Sequence, residues 1–145
     1  RDYYNTCVSY VSQNGLESNV DFLGAVSIEQ MLDEHAHASM LVLPSWQETA
    51  PVVISESMAA ARPVIATDVG GVSEMIDDDK SGFVVQLNDQ QQLTASIDRL
   101  LSDDSLRKQM GEAGKAIAEA RFRRSVVVSK TIAFYKDVIE SERKK

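Results

Sequence analysis

The chain has 145 residues, 43% of them hydrophobic and 26% charged, with 7 Gly and 3 Pro. That is the composition of one soluble globular domain, and it excludes a disordered, collagen-like or linker-like polypeptide. The net charge of −7 argues against a nucleic-acid surface, which carries a basic footprint. A single cysteine, Cys7, excludes an internal disulfide framework and suits a reducing, cytoplasmic setting. No stretch approaches the ~20 apolar residues of a membrane helix, and the N-terminus shows no basic-then-apolar signal segment. The chain opens at Arg1 directly into a helix-like pattern, so it is expected to be a piece of something longer.

Strand-like and helix-like patterns alternate almost throughout, the signature of a parallel sheet with crossover helices. A helix is predicted from about Asp2 to near Gly15, a residue suited to end it. Val20-Asp21-Phe22-Leu23 reads as a short strand closed by Gly24. Ser27 with Gln30 fits a capping box opening a helix through about His37. Met40-Leu41-Val42-Leu43 is a continuous apolar run, as expected of a strand buried on both faces.

A loop from Pro44 to Ala50 follows, and Pro51 suits the first turn of a helix that ends before Pro63. Val64-Ile65-Ala66 is the third predicted strand. Gly70-Gly71 turns into a short helix around Ser73–Ile76, and the polar turn Asp77 to Gly82 leads to a fourth strand, Phe83-Val84-Val85. Helices are then predicted from Asn88 or Asp89 to Leu101, from Ser102 or Asp103 to about Ala120, and from Ser125 to about Ile139. One domain over 1–145 is the expectation.

In open parallel sheets, ligands bind beyond the carboxyl ends of the strands, where loops feed helix N-termini. Two loops qualify: Pro44 to Pro51, and Thr67-Asp68-Val69-Gly70-Gly71. Each delivers free backbone N–H groups, the usual seat of a phosphate. Glu48 sits in the first loop and Glu56 in the helix after it; a carboxylate can grip vicinal sugar hydroxyls with its two oxygens. Spacing alone decides little, because 10 Glu in 145 residues give about 0.7 such pairs by chance.

The setting decides more. The run Leu43-Pro44-Ser45, Glu48, Glu56-Ser57-Met58-Ala59-Ala60, Pro63 through Gly71, Glu74 and Gly82 resembles retaining nucleotide-sugar glycosyltransferases of family 4, the Glu-x7-Glu enzymes of GT-B architecture. Val20 to Val26 and Leu93 to Leu101 are similar to the family's flanking segments. The resemblance implies a Rossmann-like parallel sheet flanked by helices, the C-terminal, donor-binding half of a GT-B enzyme starting part-way into that domain. By the same resemblance Glu48 touches the donor sugar near the transferred carbon and is the catalytic candidate. Glu56 holds the nucleotide ribose, while the backbone at Thr49, Ala50, Val52 and Val53 faces the diphosphate and sugar.

The implied substrate is a nucleotide-diphosphate sugar, with no cofactor or metal. The implied partners are the acceptor-binding N-terminal domain and, for the whole enzyme, a membrane surface held peripherally. Without that domain and the family's diphosphate-clamping Arg and Lys, the chain alone is expected to transfer no sugar.

Secondary candidates are Trp46, which lines the sugar pocket or packs beneath its loop, Gly70 and Gly71, and Glu74, where an acid in a short helix needs no ligand. The family's Gly-Phe-Gly after the first glutamate is replaced by Thr49-Ala50-Pro51, and Pro51 donates no hydrogen bond. His35 and His37, two apart on a helix, point to different faces and make poor metal ligands. The Asp77-Asp78-Asp79 run reads as a surface turn, and Ser45 as a hydroxyl with no activating base nearby. Arg121, Arg123 and Arg124 read as solvated surface. A non-catalytic binding module that kept the fold is the rival reading, with a nucleotide-sugar epimerase of similar architecture a weaker third.

Overall fold

The computed structural model describes residues 2–143, so Arg1 and the Lys144-Lys145 end of the basic tail lie outside the described residues. The chain divides into two compact units, 1–31 and 32–145.

In the first unit, α1 (Asp2–Gln13) ends through paired bonds, Leu16 N–H to the Val11 carbonyl at 3.0 Å and Gly15 N–H to that of Ser12 at 3.2 Å. This reciprocal closure satisfies carbonyls that a helix end leaves unpaired. Tyr4 meets Phe22 edge-on, with ring centroids 5.5 Å apart. The Val20–Leu23 segment is not a strand. A strand exists only through a laddered partner, and this segment has none among the described strand pairings; Val20, Phe22 and Leu23 are exposed.

The capping box does form: Ser27 N–H donates to Gln30 Oε1 at 3.0 Å, and Gln30 N–H to Ser27 Oγ at 3.2 Å. It opens α2 (Ile28–His37), which begins in the first unit and ends in the second.

Three strands, not four, make the sheet described here: β1 (Leu41–Leu43), β2 (Val64–Thr67) and β3 (Gly82–Val85), parallel and in the order β1-β2-β3. The register pairs Leu41 with Val64, and Val64 in turn with Gly82. Between the strands run α3 (Val52–Ala59) and the single turn α4 (Val72–Met75). After them come α5 (Gln90–Ser102), α6 (Asp104–Ile117), a π-helical turn (Ala118–Phe122) and α7 (Arg124–Arg143).

Of the two alternatives open at each helix start, the structure selects Asp89 and Asp103. Their carboxylates accept from Gln92 N–H and Leu106 N–H, both at 2.8 Å, capping donors that each helix leaves unpaired.

The period-two alternation of a strand explains how the core divides. Every residue of β2 is buried. Val64 and Ala66 face a cluster with Ile54, Met58, Val72, Met75 and Ala118. Ile65 faces the opposite way, onto Phe83, Val85, Leu100 and Met110. One sheet thus buries α3, α4 and the π turn on one side and α5 and α6 on the other, which is why its strands are apolar without alternation.

Among the described residues no helix is long and apolar enough to cross a membrane. The β2–β3 ladder begins at a position that admits no side chain. A Cβ added to Gly82 would stand 2.0 Å from the Val64 carbonyl oxygen and 3.0 Å from Val64 N. Gly82→Ala is therefore expected to part the strands at that register and destabilise the chain by about 1–3 kcal/mol; urea unfolding monitored by circular dichroism would show the lowered midpoint.

Candidate functional site

The parallel strands put two loops side by side at their carboxyl ends: 44–51 after β1 and 68–71 after β2. The Thr67 side chain, at the end of β2 and buried, donates to the Ser45 carbonyl. Ser45 Oγ in turn donates to Glu48 Oε1 at 2.7 Å. The Glu48 carboxylate is half-buried and held by a hydroxyl whose own backbone is fastened to the sheet. Such a charge-assisted bond is stronger than a neutral one.

The second loop locks the first from the other side. Gly71 N–H donates to the Thr49 carbonyl at 2.9 Å. Gly70 has φ +56, and a Cβ there would lie 1.8 Å from the Glu48 carbonyl oxygen; one on Gly71 would lie 2.4 Å from that of Thr49. The two glycines let one loop backbone rest against the other, so their role is to place Glu48.

Directly after this loop, Pro51 is the N-cap of α3, with no side chain bonded across the helix end. Proline lacks an N–H, so the donors left over there belong to Val52 and Val53. Val52 is exposed and Val53 half-buried. The helix dipole makes this end attractive to anions.

Glu56 lies one turn into α3, its side chain 42% exposed, with Oε2 3.9 Å from Nε2 of His35. It opens on a groove of ≈ 300 Å³ that also includes Ser55, Phe122 and Arg123. The structure thus joins Glu48, Thr49, Gly70 and Gly71 in one locked pair of loops, and sets Glu56 on the adjoining helix beside the π turn.

The secondary candidates separate. Trp46 is 74% exposed, so it does not pack beneath the loop. Ala50 is exposed at the loop tip. Glu74 sits exposed in the first turn of α4, and its carbonyl accepts from Arg121 at 2.6 Å. Asp78 serves the fold, accepting from Val84 N–H at 2.9 Å and Asp79 N–H at 3.1 Å, while Asp79 pairs with Arg99 at 2.9 Å.

Among the described residues no group of three or more His, Cys, Asp or Glu could hold a metal ion. Sequence reasoning missed Ser45 as the holder of Glu48, although a hydroxyl three residues before a carboxylate in a turn is a readable signal. It also missed Thr67 and the approach of His35 to Glu56, both of which depend on tertiary contact.

The glycosyl transferases group 1 family matches residues 2–117. The chain belongs to that family. An uncharacterised glycosyltransferase of Methanocaldococcus jannaschii is 34% identical over 116 residues, 80% of this chain and 33% of its own length. The sucrose-phosphate synthase of Thermosynechococcus elongatus superposes with TM-score 0.85 at 26% identity, over 94% of this chain and 34% of its own. Anabaena Alr3699/HepE, solved in complex with UDP, does so with TM-score 0.82 at 27% identity, over 94% of this chain and 37% of its own; it has also been solved in complex with UDP-glucose. The fold is that of part of a GT-B glycosyltransferase. The chain spans about a third of the length of these proteins.

The loop lock is testable by itself. Gly70→Ala adds both a left-handed strain and a clash with main chain. It is expected to cost about 1–3 kcal/mol and to move the amide resonances of Glu48 and Thr49 in an ¹⁵N spectrum. Unmoved resonances there would contradict the packing described.

Proposed function

We propose that this chain is the donor-binding part of a retaining, nucleotide-sugar-dependent glycosyltransferase of the Glu-x7-Glu type, family 4. The observation that carries the reading is the Thr67–Ser45–Glu48 relay ending beside the open N-terminus of α3. It provides an oriented carboxylate next to an anion-attracting helix end. Family membership and the likeness to a protein solved with UDP and with UDP-glucose support it. The single cysteine fits a cytoplasmic enzyme.

In the proposed reaction the bond between the sugar C1 and the diphosphate oxygen breaks, and its electron pair leaves with the diphosphate. The donors of Val52 and Val53 and the α3 dipole stabilise the charge that grows there. Glu48, fixed by Ser45, orients the donor sugar and balances the cationic character that develops at C1. Glu56 accepts hydrogen bonds from the ribose diol. The acceptor hydroxyl then bonds to C1 on the face the leaving group vacated, and its proton passes to the departing diphosphate oxygen. Positioning and electrostatics do this work, and the scheme draws on no resident cofactor or metal. The acceptor site and the cationic clamp for the diphosphate are assigned to the rest of the enzyme.

Saturation-transfer NMR of UDP-, GDP- and ADP-glucose against the chain is expected to show one of them bound, most strongly through its ribose protons. Glu56→Gln replaces one acceptor oxygen with a donor. It is expected to weaken that binding about fivefold or more, with stability changed by no more than about 0.5 kcal/mol. Binding unaltered beside a lowered melting midpoint would make Glu56 a helix-dipole residue and remove the donor assignment.

A further inference from the structure

His35 is 5% exposed, whereas the side chain of His37, two residues on, is 77% exposed. A buried imidazole brings two ring nitrogens that both need partners. Nε2 of His35 has no hydrogen-bond partner. Facing it is Oε2 of Glu56, 3.9 Å away, about an ångström beyond hydrogen-bond length. An orphaned polar atom in a native interior calls for an explanation.

The ring is not there through a slack helix end. Arg62 Nε donates to the His35 carbonyl at 3.1 Å, and a terminal nitrogen of the same guanidinium donates to the Ala36 carbonyl. This closes carbonyls that the end of α2 leaves unpaired, and it fastens that end to the segment joining α3 to β2. Arg62 N–H donates to the Ser57 carbonyl at 3.0 Å, so the backbone delivering it is tied to α3 as well. The backbone that carries the imidazole is thus fastened and the ring is buried, while the carboxylate opposite is 42% exposed.

We infer that His35 is a positioning residue for Glu56: its Nε2–H takes up Oε2 when ligand binds and leaves Oε1 aimed at the ligand's vicinal hydroxyls. The inference rests on the reading of Glu56 as the ribose contact. In the proposed bound state the gap of 3.9 Å closes to about 2.9 Å by rotation of the half-exposed Glu56 side chain. The bound state then satisfies a donor that the free state leaves unpaired, so ligand binding and the completed hydrogen bond favour each other. His35 touches no substrate; it acts through the carboxylate.

The test uses UDP, GDP and ADP as probes on the chain. Two histidines are present, so a long-range ¹H–¹⁵N spectrum resolves both rings. The nucleotide that binds tightest is expected to shift the His35 ring signals, in the Nε2–H tautomer, and to leave those of His37 in place. His35→Leu should weaken its binding about tenfold, and His35→Gln, which keeps an N–H donor, should recover most of that loss. Adding Glu56→Gln to His35→Leu should then change little, because the two act as one unit.

If His35→Leu does not fold, the ring shift in the unsubstituted chain and the His35→Gln affinity still decide. A nucleotide whose binding depends on Glu56 but leaves the His35 ring unmoved, or is indifferent to His35→Leu, would overturn the inference alone. So would an affinity loss that merely tracks the melting midpoint and is not recovered by His35→Gln. Binding by none of the three, or binding insensitive to Glu56→Gln, would overturn the ribose reading first and the inference with it.

Discussion

The buried hydroxyl of Thr67 reaches from the end of the central strand to the Ser45 carbonyl, and the geometry of the site depends on that reach. Thr67 can make it only because β2 is packed on both faces and paired on both edges. Such a strand has no freedom to slide, since a shift of one residue would exchange its two core faces. The rigidity of the core therefore passes through one side chain into a loop that would otherwise be free, and from Ser45 to the carboxylate of Glu48. A carboxylate held this way keeps its orientation without ligand, which is what preorganised electrostatics require.

The strand order β1-β2-β3 contains no reversal among the described strands. The familiar crevice of open sheets forms where the order reverses. Here the candidate site is built instead from the loops of two successive crossovers that lie against each other.

Much of this was legible in the sequence because it is local. The capping box of Ser27 and Gln30 and Pro51 at a helix start depend on neighbours within four residues, whereas the choice of Asp89 over Asn88 and of Asp103 over Ser102 came from the structure. Met40 to Leu43 and Val64 to Ala66 read as strands from their uninterrupted apolar runs; Val64–Thr67 is buried throughout, whereas Leu41–Leu43 is only half-buried. Val20–Leu23, apolar apart from Asp21, forms no strand, since composition cannot supply a partner.

Glu48 and Glu56 stand out in the sequence only through their setting. The relay that holds Glu48 needs Thr67 to meet Ser45 across 22 residues, and the neighbour of Glu56 comes from α2. Neither leaves a periodic trace. The π turn at Ala118–Phe122 likewise has no signature separable from the α-helical pattern around it.

The lock between the two loops is made almost wholly of main chain: the Glu48 carbonyl against Gly70, and the Thr49 carbonyl bonded to Gly71 N–H. Trp46, Gln47, Thr49 and Ala50 all turn exposed side chains away from it. Side chains at these four positions can therefore change in size and polarity while Glu48 stays where it is. Only the glycine pair and the Ser45–Thr67 hydroxyls are constrained. A loop of this construction separates what must be kept to hold the carboxylate from what can drift. A lineage could thus reshape the rim without rebuilding the centre.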